Sequence, residues 1–215
     1  MRRPTGPGPF LLVGTALSLA LTACGGIGGT DTEAATEVDT TGFTYGDVPT
    51  ENQRGPSIDE SQMPPEPERG APRHEINAHN ALVKVSEMNW TADPDATSEC
   101  PPDVDLHVEK SYSCVVTYMG EEFEYLVELD EELSSENHAA ERARLVTGPI
   151  IVEQLEHTIR VYSLLPYVDC GFEGEVAIAV LDEHVSTCTA LDGATGETKE
   201  YEITYGLSGT AVTPL

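Results

Sequence analysis

Positive charge and aromatic rings are both scarce in this chain. Lys and Arg number 11 against 38 Asp and Glu, and rings make up 6% of residues, with one tryptophan. A surface so poor in cations repels phosphate backbones, which excludes nucleic acid as a direct partner, and it has little attraction for anionic lipid headgroups. So few rings offer no platform for stacking sugars. Long apolar runs are missing too, since Phe10 to Leu21 falls short of the about 20 residues that a bilayer-spanning helix needs. No Gly-x-Ser-x-Gly elbow occurs, and His74, His79, His107, His138, His157 and His184 stand in no triad context. There is no Cys-x-x-Cys, and His107 and His184 lie in strand-like stretches without ligand spacing, so neither a metal site nor thiol chemistry is expected. Paired carboxylates are too abundant here to single out a glycosidase. The pairs Asp93-x-Asp95 and Asp103-x-Asp105 lack the glycine and terminal glutamate of a calcium loop, and support at most a weak cation-binding module. The chain is read as a non-enzyme without cofactor or catalytic residues.

What is present starts with an export leader. Arg2 and Arg3 precede a short apolar core that ends in small residues. Leu21-Thr22-Ala23-Cys24 then resembles the lipobox of bacterial lipoproteins. The resemblance implies removal of residues 1–23, fatty acylation of Cys24 (lipid and palmitate), and residence on the outer face of the cell membrane through that anchor. Several acyl chains hold stably where one holds marginally. Assigning Cys24 to lipid leaves Cys100, Cys114, Cys170 and Cys188, an even number in an oxidising compartment. Three pairings are possible, and the local ones, Cys100 with Cys114 and Cys170 with Cys188, fit the internal repeat described next. The formal net charge of −27 becomes more negative once the leader's two arginines are gone. Solubility in a salty habitat, loose cation binding and attraction to a basic partner would each account for it.

Residues 24–72 are rich in Gly, Pro, Thr and acids without a sustained apolar period, and read as a disordered, extended tether. Gly25 to Gly29 follow the anchor with no preceding strand, so they read as a spacer and not a phosphate loop. Phe43-Thr44-Tyr45 is the one candidate for a small docking element within the tether. The remainder divides into two modules, 73–148 and 149–215, each with a helical stretch, a cysteine, strand-like residues, a second cysteine, a turn and further strands. In the first, Ile76, Leu82, Val83 and Met88 approach a helical period, Asp105 to Glu109 reads as a short strand, and Phe123, Tyr125, Val127 and Leu129 alternate as in a half-buried strand. Ser134 or Ser135 is a candidate helix cap. In the second, Pro149 is placed at the first position of a helix whose stripe is Ile151, Leu155, Ile159 and Tyr162. The expected fold is α+β, in two tandem small units, each a helix packed on a three- or four-stranded antiparallel sheet with a local disulfide. A single β-rich domain with one central helix is the competing architecture.

At Cys100-Pro101-Pro102 and Cys114-Val115-Val116, with a helical lead-in before and Gly120 and an alternating strand after, the first unit resembles an actinobacterial module of the DUF4333 type. The second unit keeps its cysteines but has Gly171 in place of the proline and a longer stretch between them. The resemblance implies secreted or membrane-attached proteins of uncharacterised role, and transfers no active site. Two such units in tandem are also similar in outline to the β-lactamase-inhibitor architecture, a likeness of shape alone. The expected role is a module that contacts another envelope protein or a cell-wall component, with Trp90, Tyr162 and Tyr167 as its candidate contact patch. The alternative is a structural, salt-adapted envelope protein without a specific ligand.

Overall fold

The computed structural model describes residues 38–49, 58 and 60–215; the leader and Cys24 lie outside them. Part of the expected tether is ordered against the fold. Thr44–Tyr45 form a two-residue strand, β1, on the edge of a sheet described below. It falls within the candidate docking element Phe43-Thr44-Tyr45, but its hydrogen-bond partners come from far along the chain, so no local pattern gives its strand pairing. A short 3-10 turn at Glu60–Gln62 follows.

Helix α1 spans Arg73–Asn89. It stops where Trp90 turns left-handed (φ 52°) and its amide donates back to the Glu87 carbonyl. The buried stripe runs through Asn77, Ala81, Val85 and Asn89 at i+4 spacing, while Ile76, Leu82, Val83 and Met88 are only partly buried. Two asparagines can lie on that face because both are satisfied. Asn77 Nδ2 donates to Tyr112 Oη (2.5 Å) and Glu141 Oε2 (3.0 Å), and Asn89 Nδ2 to the Val85 carbonyl (2.9 Å).

Against α1 lies a four-stranded antiparallel sheet of β2 (Thr97–Glu99), β3 (Ser111–Tyr118), β4 (Glu121–Leu129) and β5 (Glu141–Leu145), in chain order. Cys114 and Val116 of β3 stand opposite Tyr125 and Phe123 of β4, and all four are buried on one face, as alternation requires. Met119 and Gly120 join the strands with both φ positive, the backbone a tight hairpin needs. Asp105 to Glu109, expected as a strand, is instead a one-turn helix, α2 (Leu106–Glu109). Asp105 Oδ1 accepts the His107 amide at 2.9 Å and so caps it. Ser134 caps no helix: its hydroxyl donates to the Asp130 carbonyl (2.6 Å) and accepts the Ala140 amide (2.9 Å), closing a turn before β5.

The second half opens on a strand where a helix is expected. Gly148-Pro149-Ile150-Ile151 form most of β6 (Thr147–Ile151), and helix α3 starts only at Val152 and ends at Ser163. A continuous buried apolar run suits a strand, and proline is tolerated because β6 pairs only with β8 (Val176–Val180), in a two-stranded sheet. Gly148 is required there, because a Cβ would stand 1.7 Å from the buried Tyr205 hydroxyl. Helix α3 buries Leu155, Ile159 and Ser163, with Tyr162 left outside. It covers β7 (Tyr167–Asp169), β9 (His184–Leu191), β10 (Thr198–Gly206) and β11 (Gly209–Pro214), and the sheet order is β1-β7-β9-β10-β11.

The two halves repeat one plan, a helix followed by a four-stranded antiparallel meander. The disulfides repeat it too. Cys100, just after β2, bonds to Cys114 in β3, and Cys170, just after β7, bonds to Cys188 in β9. Between the bonded cysteines the first copy carries α2 and the second carries β8. Each helix covers its own core, one around Val85, Val116 and Phe123 and the other around Ile159, Val168 and Ile203. Both cores belong to one compact unit, residues 37–215. Met88 packs against both, and Ile151 from the second half lies in the first core. The α+β expectation therefore holds, with a local disulfide in each helix-and-sheet copy.

Candidate functional site

The end of α1 presents the only tryptophan. The residues beside it are held firmly: Tyr118 Oη donates to the Thr91 carbonyl (2.9 Å) and Gln154 Nε2 to Thr91 Oγ1 (2.5 Å). Burial, with the charge of Asp93 nearby, pushes the Tyr118 hydroxyl up to about 12, so it remains a proton donor at any physiological pH. The left-handed backbone at Trp90 then turns the indole outward, 57% exposed. It borders a groove of about 150 Å³ between α1, α3 and β11, lined by Met88, Trp90, Gln154, Thr158, Thr210 and Val212 among others. Tyr162, 62% exposed, continues the Gln154 and Thr158 row by another turn of α3.

The groove also meets a sheet edge. The Leu215 amide donates to the Glu200 carbonyl, which fixes the parity of the β10–β11 ladder. By that parity the Thr210 and Val212 amides point away from β10, along the outer edge of the sheet. Pro214 at the end of β11 carries no amide.

Tyr167, the third residue of the expected patch, lies elsewhere. Its ring packs edge-on against Tyr45 of β1, with centroids 5.2 Å apart. Residues of α3 at 154, 158 and 162 and those at 153, 156 and 160 flank the buried stripe on opposite sides, so the structure brings Trp90 and Tyr162 to one flank and leaves Tyr167 on the other.

On that second flank stands a charged pair that no sequence pattern singles out. Glu156 and Arg160 are one turn apart, with side chains 12% and 8% exposed, and their contact is 3.2 Å. Arg160 Nη2 also donates to the Thr44 carbonyl (3.1 Å) and hydroxyl (2.9 Å), and Nε to the Pro166 carbonyl (3.1 Å). The Thr44 hydroxyl lies 2.5 Å from Glu156 Oε2 and 2.9 Å from the Val168 carbonyl, either of which takes its proton. An i,i+4 Glu–Arg spacing is the one signal that could have marked the pair, but it is ordinary on an exposed helix face.

A second concavity, about 540 Å³, opens near the start of α1 beside Arg73, Asp103, Asp105, His138 and Glu141. Two of its acids already have partners. Glu141 bridges Arg73 (2.8 Å) and Asn77 (3.0 Å), and Asp105 caps α2. Tyr112, beside Asn77, is raised by burial, which its hydrogen bond from Asn77 only partly offsets. One acid of each pair considered for cations is likewise engaged: Asp105 as the cap, and Asp93 by accepting the amides of Asp95 (3.0 Å) and Met119 (2.6 Å). Among the described residues no group of three or more His, Cys, Asp or Glu is placed to hold a metal ion. No described helix is long and apolar enough to cross a membrane.

Fold and site together define a class: a small α+β protein of two helix-on-sheet repeats, each with its own disulfide. No family model, curated protein or solved structure matches the chain.

Proposed function

We propose that this chain is an extracytoplasmic lipoprotein, held to the membrane by lipid on Cys24, that works as an interaction module for an envelope protein or a cell-wall component. The observation that carries the reading is Trp90, an exposed indole set on a fixed backbone beside a groove and the edge of β11. Rigid aromatic anchors at such places carry much of the energy of protein contacts. An extended partner segment would pair with the Thr210 and Val212 amides and place a side chain in the groove. The two disulfides fit an oxidising compartment, the Cys-Pro lead-in of the first copy fits a secreted module of the DUF4333 type, and the acidic surface favours a basic or neutral partner over an anionic one.

The test is photo-crosslinking from position 90 in intact envelopes. A discrete adduct is expected, and Trp90→Ala at unchanged thermal stability should weaken capture by roughly tenfold or more. Cys24→Ser should move the protein from the membrane to the soluble fraction. Crosslinks spread over abundant envelope components would instead favour a structural, salt-adapted protein without a specific ligand.

A further inference from the structure

The docking of β1 is selective in a way that a spacer does not require. Thr44 is read through its hydroxyl by both Glu156 and Arg160. Tyr45 is read through its ring by Tyr167. Gly46 is read by exclusion: its amide donates to the Pro166 carbonyl (3.0 Å), and a Cβ there would stand 2.6 Å from Arg160 Nε. Beside the docked segment opens a concavity of about 410 Å³, with Glu153, Glu156, His157 and Arg160 of α3 as one wall and the segment itself as the other. Buried ion pairs need further hydrogen bonds to offset lost hydration, and Thr44 supplies these. A passive strand could lie over an apolar pair equally well.

The same strand is lightly held. It is two residues long, both exposed, and it pairs along one side only. Neither core contains a residue from the 38–49 segment. Its departure would open no core, and would take from Glu156 and Arg160 the hydrogen bonds that Thr44 makes to them.

We infer that the edge of β7, with Glu156 and Arg160 of α3 beside it, is a recognition site for an extended Thr-aromatic-Gly segment, and that Thr44-Tyr45-Gly46 is its resident, releasable ligand. The segment then acts as a clasp on the tether. With Cys24 as the anchor, which rests on the function proposed above, the closed clasp limits the chain from the anchor to β1 to roughly 65 Å. Opening it frees the described segment as far as Pro49, for a reach of roughly 80 Å.

The test uses the full chain carrying Cys24→Ser, so its outcome does not depend on the anchor. A fluorescent peptide of residues 38–49 is titrated into three forms, while hydrogen exchange follows the Gly46 amide. The unaltered clasp should exclude the peptide and protect the amide. Gly46→Val should lose that protection and bind the peptide roughly tenfold or more tightly than the parent. Adding Arg160→Met should abolish that binding, and a peptide carrying its own Gly46→Val should not bind. Thr44→Val serves as a second opening variant, should Gly46→Val disturb the fold. Unchanged protection in both opening variants would overturn the inference, as would equal peptide binding with and without Arg160.

Discussion

Asp130 shows how one side chain can make stability depend on acidity. Burial opposes its charge, yet hydrogen bonds from Arg142 Nε (2.7 Å) and from the Leu133 and Glu132 amides outweigh that and hold its carboxyl below the ordinary range. A carboxyl with a lower value folded than unfolded contributes its stability in full above the unfolded value, about 3.9 for aspartate, and loses it as pH falls through the folded one. Urea midpoints should therefore drop on acidification below about pH 4, and Asp130→Asn should flatten that part of the profile. An identical acid limb in the variant would contradict the assignment. Other acids also accept backbone amides, Asp93 tying a loop to the β3–β4 hairpin and Asp105 starting a helix. Sequence alone marks these as acids in turns, and cannot say which amides they will meet.

At the scale of elements, legibility follows the range of the forces involved. The alternation in β4 and the Leu155–Ile159 stripe of α3 are local periodicities, and both appear in the fold as the sequence predicts. The α1 stripe departs from the expected one because its buried positions are Asn77, Ala81 and Asn89, whose burial depends on partners such as Tyr112, 35 residues away. The Pro149 segment departs from the expected helix because its strand partner, β8, arrives later in the chain. β1 stands out by composition alone, while its ladder to Val168 spans 124 residues. Trp90 and Tyr162 can be picked out as rings on the chain, but their sharing of one flank with the groove is a product of packing. The disulfides belong to this scale as well. Each ties the end of one strand to its neighbour across loops of 14 and 18 residues, and removing either should cost about 3 kcal/mol by freeing the unfolded chain. Denaturation of Cys100→Ser/Cys114→Ser and Cys170→Ser/Cys188→Ser pairs would measure it, and a loss well under 1 kcal/mol would show that the sheets hold without staples.

Across the whole molecule, repulsion among the acids opposes folding at neutral pH. With 38 acids and 11 bases, the folded state holds like charges closer together than the unfolded chain does. Salt shortens that repulsion from a range of about 10 Å at 0.1 M to about 3 Å at 1 M. Stability should therefore rise on adding sodium chloride, seen as a higher urea midpoint, with sodium sulfate compared at equal ionic strength to separate screening from exclusion effects. A midpoint indifferent to sodium chloride would mean that the few ion pairs, such as Arg144 with Glu128, already balance the surface.

The exchange of Met88 and Ile151 between the two cores ties the fates of the halves together. Pulling one copy away would leave a vacancy in both interiors, since each has lent the other a side chain. Heating should consequently melt the pair in one step, with calorimetric and van't Hoff enthalpies in agreement, and two resolved peaks would mean that the loan counts for little.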